Sequence, residues 1–125
     1  MAEQLQVYKC EVCGNIIEVL HGGAGELVCC GQPMKQLKEN SVDAALEKHV
    51  PVLSLNGTTA SVKVGSVAHP MDPDHYIEFI ELMTAARVYR AELSPGKAPE
   101  AAFDIHGEVI GARAYCNKHG LWKNQ

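Results

Sequence analysis

Four of the chain's five cysteines lie within its first thirty residues, as Cys10-Glu11-Val12-Cys13 and the adjacent pair Cys29-Cys30. A segment this short buries too little apolar surface to fold unaided, and its apolar content is confined to Val7-Tyr8, Ile16-Ile17, Val19-Leu20 and Leu27-Val28. Four thiolates around one ion supply the missing stability. A tetrahedral four-sulfur set takes zinc or a single iron, and spacing alone leaves both open. The two-residue spacing of Cys10 and Cys13 lets that pair grip an ion while intervening amide N–H groups point at sulfur. Cys29 and Cys30, being neighbours, have to splay their side chains, which predicts a tetrahedron distorted on that side. A disulfide between adjacent cysteines is strained and is disfavoured in a reducing compartment.

The 125 residues therefore divide into a metal-stapled unit at 1–37 and a larger domain at 38–125. No run approaches the roughly 20 apolar residues of a membrane span, and Met-Ala-Glu-Gln-Leu-Gln is no secretory leader, so a soluble cytoplasmic protein without membrane contact is expected. The formal charge of −4 lacks the electrostatic footprint of a nucleic-acid binder and disfavours a zinc-ribbon DNA reader.

Ser41 is a candidate N-cap for a short helical turn through Asp43-Ala44-Ala45-Leu46. From His49 onward the pattern is one of short strands: 49–55, 60–67, 76–84, 86–93, 101–106 and 109–115. They are separated by turn signals at Asn56-Gly57, Pro70 to Asp74, Ser94-Pro95-Gly96 and His106-Gly107. Six or seven strands at this spacing predict a mainly β fold, with an antiparallel sandwich of immunoglobulin-like type following the small metal unit.

The fifth cysteine, Cys116, stands three residues before His119. His49, His69 and His75 lie upstream, the last two at either end of the rigid turn His69-Pro70-Met71-Asp72-Pro73-Asp74-His75. All five side chains can meet at one end of the domain. His21 and His106 have no such companions and are assigned to the surface. Four imidazoles and one thiolate exceed the four ligands that satisfy zinc and suit an ion accepting five or six, such as iron. A ferrous ion with four neutral imidazoles and one thiolate carries net +1, so its open position attracts a small anion. Lys48, beside His49, adds to that attraction. Glu47 is placed to approach the same position and to bind there more strongly once the iron is ferric.

Taken together, these residues resemble desulfoferrodoxin, the two-iron form of superoxide reductase. The likeness rests on Tyr8-Lys9-Cys10-Glu11-Val12-Cys13-Gly14, Leu27-Val28-Cys29-Cys30-Gly31, Glu47-Lys48-His49-Val50-Pro51, Val67-Ala68-His69-Pro70-Met71 with His75-Tyr76, and Tyr115-Cys116-Asn117-Lys118-His119-Gly120. It implies a desulforedoxin-like first domain with iron on Cys10, Cys13, Cys29 and Cys30. It implies a second, immunoglobulin-like domain whose catalytic iron has His49, His69, His75 and His119 as equatorial ligands and Cys116 as axial ligand, with Glu47 and Lys48 as a mobile acidic and basic pair. The implied reaction is one-electron reduction of superoxide to hydrogen peroxide without dioxygen release, in a homodimer supplied with electrons by a rubredoxin-like donor. One position departs from the pattern: Ala114 stands where the family usually has glutamate. The competing readings are a non-catalytic two-iron electron-transfer protein, a thiol enzyme using Cys116 and His119, and a structural zinc module.

Overall fold

The loop chemistry of the first thirty residues sets the small unit. In the computed structural model, which describes residues 2–125, the chain forms two compact units, one through Lys38 and one from Glu39 to Gln125. In the first unit, strands β1 (Val7–Lys9), β2 (Ile16–Glu18) and β5 (Lys35–Leu37) make an antiparallel sheet in the order β2-β1-β5. Between them, β3 (Val28–Cys29) and β4 (Gln32–Pro33) form a separate hairpin. Its two-residue loop is Cys30-Gly31, with φ of +53° and +75°. Two successive residues in the left-handed region define the tight turn that suits antiparallel strands, and this explains how neighbouring cysteines splay: Cys29 lies on a strand, Cys30 in the turn.

In the second unit, α1 (Leu46–His49) is one helical turn, followed by β6 (Pro51–Asn56), β7 (Thr59–Val64), β8 (Ile77–Thr84), β9 (Val88–Glu92), β10 (Glu100–Asp104), β11 (Val109–Cys116) and β12 (Gly120–Lys123). They form two antiparallel sheets, β10-β7-β6 and β12-β11-β8-β9, with an apolar core of Ala60, Val62, Val64, Ile77, Ile80, Leu82 and Ala112 between them. Alternation places Ala60, Val62 and Val64 inward from β7, and each buried branched side chain stabilises the sandwich by roughly 1.5–3 kcal/mol. A hairpin forms at the expected Asn56-Gly57 signal, but Asn56 closes β6 and pairs with Thr59, so the two-residue loop is Gly57-Thr58, with Gly57 at φ of +63°.

Two local expectations are corrected, and one strand is added. The helical turn covers 46–49 rather than 43–46, and its N-cap, Ala45, makes no side-chain capping bond. His49 therefore ends a helix instead of opening a strand. The final strand, Gly120–Lys123, had no forecast, because four residues next to a turn carry too little alternation to register.

On the other face of β8, Glu81 is fully buried and stands directly across from Arg113 of β11 and Arg90 of β9. Arg113 Nε donates to its Oε1 at 2.6 Å and Arg90 Nε to its Oε2 at 3.0 Å. This row of three charges spans three adjacent strands and is satisfied only in one register.

Two candidate metal centres

The first centre is built on the ends of hairpins. Cys10 and Cys13 occupy the β1–β2 loop, closed by Cys10 N–H to Asn15 O at 2.8 Å and Gly14 N–H to Cys10 O at 3.0 Å. The Cys13 amide points at Cys10 Sγ, 3.4 Å away, and together with the Val12 amide holds that thiol down at about 6, against the smaller opposing effect of burial. Cys29 and Cys30 come from the second hairpin, and the ligand atoms of all four cysteines lie within 4.8 Å of one another. Cys13 and Cys29 sulfurs are 3.6 Å apart, Cys29 and Cys30 sulfurs 4.0 Å. Sulfurs held tetrahedrally about 2.3 Å from one ion stand about 3.8 Å apart, so the cluster already has the dimensions of a loaded site. Contacts with the Cys13 and Cys29 thiols push Cys30 up to about 12. Crowded sulfurs resist sharing several negative charges, and a cation removes that resistance.

The second centre gathers residues from three places: His49 from the end of α1, His69 and His75 from the loop joining β7 to β8, and Cys116 and His119 from the end of β11 and the turn beyond it. The four imidazoles touch in a closed cycle. His49 meets His69 at 4.8 Å, His69 meets His75 at 4.8 Å, His75 meets His119 at 5.1 Å, and His119 meets His49 at 4.9 Å, centroid to centroid. Interplanar angles run from 74° to 90°. The ligand atoms of His49, His75, Cys116 and His119 lie within 4.8 Å of one another, and His69 joins them through its edge-on contacts with His49 and His75. Cys116, with no exposure to solvent, lies beside the cycle, its Sγ 3.9 Å from His119 Nδ1.

Backbone carbonyls decide which nitrogen each ring offers. His49 Nδ1 donates to Ala45 O at 2.7 Å, and His69 Nδ1 to Pro70 O at 2.6 Å. A carbonyl only accepts, so the proton sits on Nδ1 and the Nε2 lone pair is free. His119 is turned the other way, with Nδ1 3.1 Å from His49 Nε2. Two nitrogens at right angles about an ion about 2.1 Å away are about 3 Å apart. Burial holds His69 down at about 4 and also lowers His49 and His75. These three rings are neutral near pH 7, the state that binds metal. Burial also raises the Cys116 thiol, so its thiolate needs a cation beside it.

The Nε2 atoms of His69 and His75 are buried without any hydrogen-bond partner. A buried polar nitrogen left unpaired is costly; for His69, whose proton is on Nδ1, the unpaired atom is a lone pair, and an ion at the middle of the cycle is the partner that both nitrogens lack. Glu47 and Lys48 are exposed on α1, directly before His49. His21 and His106 are exposed and belong to neither cluster.

A family signature described as "Desulfoferrodoxin, N-terminal domain" matches residues 2–37, and one described as "Desulfoferrodoxin" matches residues 41–125. The chain belongs to the desulfoferrodoxin family. A desulfoferrodoxin from Syntrophotalea carbinolica is 60% identical over 125 residues, covering 100% of this chain and 99% of that one. Among solved structures, a superoxide reductase from Treponema pallidum superposes with a TM-score of 0.81 at 33% identity, covering 98% and 100% of the two chains. A one-iron superoxide reductase from Giardia intestinalis covers 62% of this chain and 95% of its own, with a TM-score of 0.55 at 35% identity. The desulfoferrodoxin cofactors, two mononuclear non-haem irons, fit the two donor sets seen here.

Three residues escaped the sequence reading. Asn117, noted only as part of a motif, accepts from Tyr76 N–H through Oδ1 at 3.0 Å and donates from Nδ2 to Asp74 O at 3.1 Å, tying the Cys116 turn to the segment that carries His75. Gly65 lies directly against the backbone of Glu47 and Lys48. Trp122 lies against His49. Being the chain's only tryptophan, three residues past His119, was the sole hint it gave. Ala114 is fully buried in the same cluster as Cys116 and faces Trp122 across the β11–β12 ladder.

Proposed function

We propose that the chain is a superoxide reductase, converting superoxide with one electron and two protons to hydrogen peroxide, with no dioxygen formed. The observation that carries this reading is the closed cycle of four imidazoles with a buried thiol at its side, a set that would offer an ion five donors and suit one that accepts a sixth. Residues 1–37 would hold the first iron through Cys10, Cys13, Cys29 and Cys30; residues 38–125 would hold the catalytic iron through His49, His69, His75, His119 and Cys116. When bound, that iron supplies the electron and a cationic place for a small anion to settle.

The chain's own groups do the rest. The carbonyl tethers of His49 and His69 keep their lone pairs aimed inward without reorganisation. Lys48 raises the local concentration of an anionic substrate, an effect that weakens with added salt. Its ammonium also delivers a proton, through water, to the departing product. Glu47, the residue before Lys48, is exposed on the same helical turn and would offer a carboxylate to compete with a small anion at the open side of a loaded centre. A rubredoxin-like electron donor, a homodimeric assembly and a cytoplasmic setting belong to the same proposal. Among the described residues no helix is long and apolar enough to cross a membrane.

Pulse-generated superoxide mixed with the reduced protein should disappear with peroxide as the only product. His69→Ala or Cys116→Ser should abolish this while leaving the colour of the first centre intact. Dioxygen evolution would mean dismutation, and a second iron that never takes up azide or cyanide would mean simple electron transfer.

A further inference from the structure

Trp122 offers no atom to a metal, yet it touches two of the four histidines. We infer that Trp122 is a positioning residue of the second centre, fixing the ring plane of His49 and the backbone that carries His119; this rests on both histidines being ligands. The indole is stacked on His49, with centroids 4.9 Å apart and an interplanar angle of 28°, whereas His69 and His119 stand at 74° and 90° to the same ring. One face of His49 is therefore covered and its edge is left to the centre. With Nδ1 held by Ala45 O, the ring has no freedom to rotate about its Cβ–Cγ bond.

His119 needs a different device. Its inward atom is Nδ1, so the carbonyl tether that orients His49 and His69 is not open to it. Trp122 Nε1 donates instead to the His119 carbonyl at 2.9 Å, closing the turn through Gly120, whose φ is +83°. The indole is 1% exposed and faces Ala114 across the ladder, where a methyl group leaves it room. One side chain thus braces ligands that lie seventy positions apart in the chain.

The sole tryptophan is its own reporter. Ferrous or cobaltous ion added without oxygen to the metal-free protein should quench its emission in step with the appearance of the Cys116 thiolate-to-metal band. Trp122→Phe keeps a stacked ring and loses the N–H; Trp122→Leu loses both. Affinity at the second centre should fall roughly tenfold in the first and towards 100-fold in the second. The Cys116 band should shift in both, and the band of the four-cysteine centre should stay in place. Wild-type protein that never loads its second centre would overturn the ligand assignment itself. Wild-type protein that loads normally, with emission unchanged, or variants that load with unaltered affinity and band, would overturn the role of Trp122. Should the leucine variant not fold, the phenylalanine variant and the wild-type emission decide the matter.

Discussion

A methyl group added at Gly65 would stand 2.6 Å from the Glu47 carbonyl oxygen, 3.0 Å from the Lys48 carbonyl carbon and 3.1 Å from the Glu47 carbonyl carbon. Ordinary contact begins at 3.4 Å, so the closest approach is about 0.8 Å short. All three atoms are backbone, and none can rotate aside. The Glu47 oxygen that must retreat also accepts from Val67 N–H at 2.8 Å and from Ser66 Oγ at 3.3 Å. Overpacking of this kind costs about 1–3 kcal/mol, and weakening two hydrogen bonds adds about 1 kcal/mol. Gly65→Ala should therefore destabilise the second unit by about 2–4 kcal/mol, a fall in melting temperature on the order of 10–30 °C for a domain of this size. His49 is carried on the same helical turn, and a shift approaching 1 Å at a reacting centre costs roughly 100-fold in rate. Thermal melts followed by Trp122 emission, with superoxide consumption measured on loaded protein, test both parts. Gly23→Ala, where nothing lies within 4 Å, is the matched control. A Gly65→Ala protein that melts within about 2 °C of wild type and turns over at the wild-type rate would show that the 64–67 turn does not position Glu47, Lys48 and His49.

Asn117→Ala leaves the Tyr76 amide without its acceptor and frees the Asp74 carbonyl, so stability should drop by about 1–3 kcal/mol and metal affinity at the second centre should fall. Asn117→Asp, which keeps the acceptor, should lie between the two, and metal titrations showing all three alike would refute the clamp. In metal-free protein the folded state holds His69 near 4 while an unfolded histidine titrates near 6.5. The unfolded chain then binds more protons between those values, so this stabilisation is complete above about 6.5 and is lost as pH falls towards 4. Melting temperatures of the metal-free protein that rise on acidification through that window would contradict the burial of these rings. Ala114→Glu puts a carboxylate against Trp122 and two residues from Cys116 on the same face, and should shift the reduction potential of the second iron. Identical potentials in both proteins would remove any influence of this position.

Both donor sets could be read from the chain because ligands must be particular residue types, and because cysteine pairs and proline-bounded turns restrict where those residues point. The β6–β7 hairpin was visible for a similar reason, since Gly57 supplies the positive φ that its two-residue loop requires. What holds the ligands in place was not visible. Ala45 O, Pro70 O and His119 O are backbone atoms that any residue would supply, and no spacing announces that they receive His49, His69 and Trp122. Gly65 likewise looked like one glycine among eleven, although its neighbours leave no room for a Cβ. The shift of the helical turn from 43–46 to 46–49 has the same origin: α1 has no side-chain cap to mark its start, and the 64–67 turn grips the Glu47 carbonyl.

The cycle of imidazoles is also a cross-link. Its four members come from positions 49, 69, 75 and 119, with Cys116 beside them, so an ion at its centre would close loops ranging from three residues to seventy within one fold. Each closed loop removes disorder from the unfolded chain, and the loss deepens only slowly with loop length. The long connection between His75 and Cys116 therefore costs little more to close than a shorter one would. In this respect an ion at the second centre would do for the sandwich what an ion on the four cysteines would do for the small unit, and stripping it should loosen the end of the sandwich that carries the imidazoles.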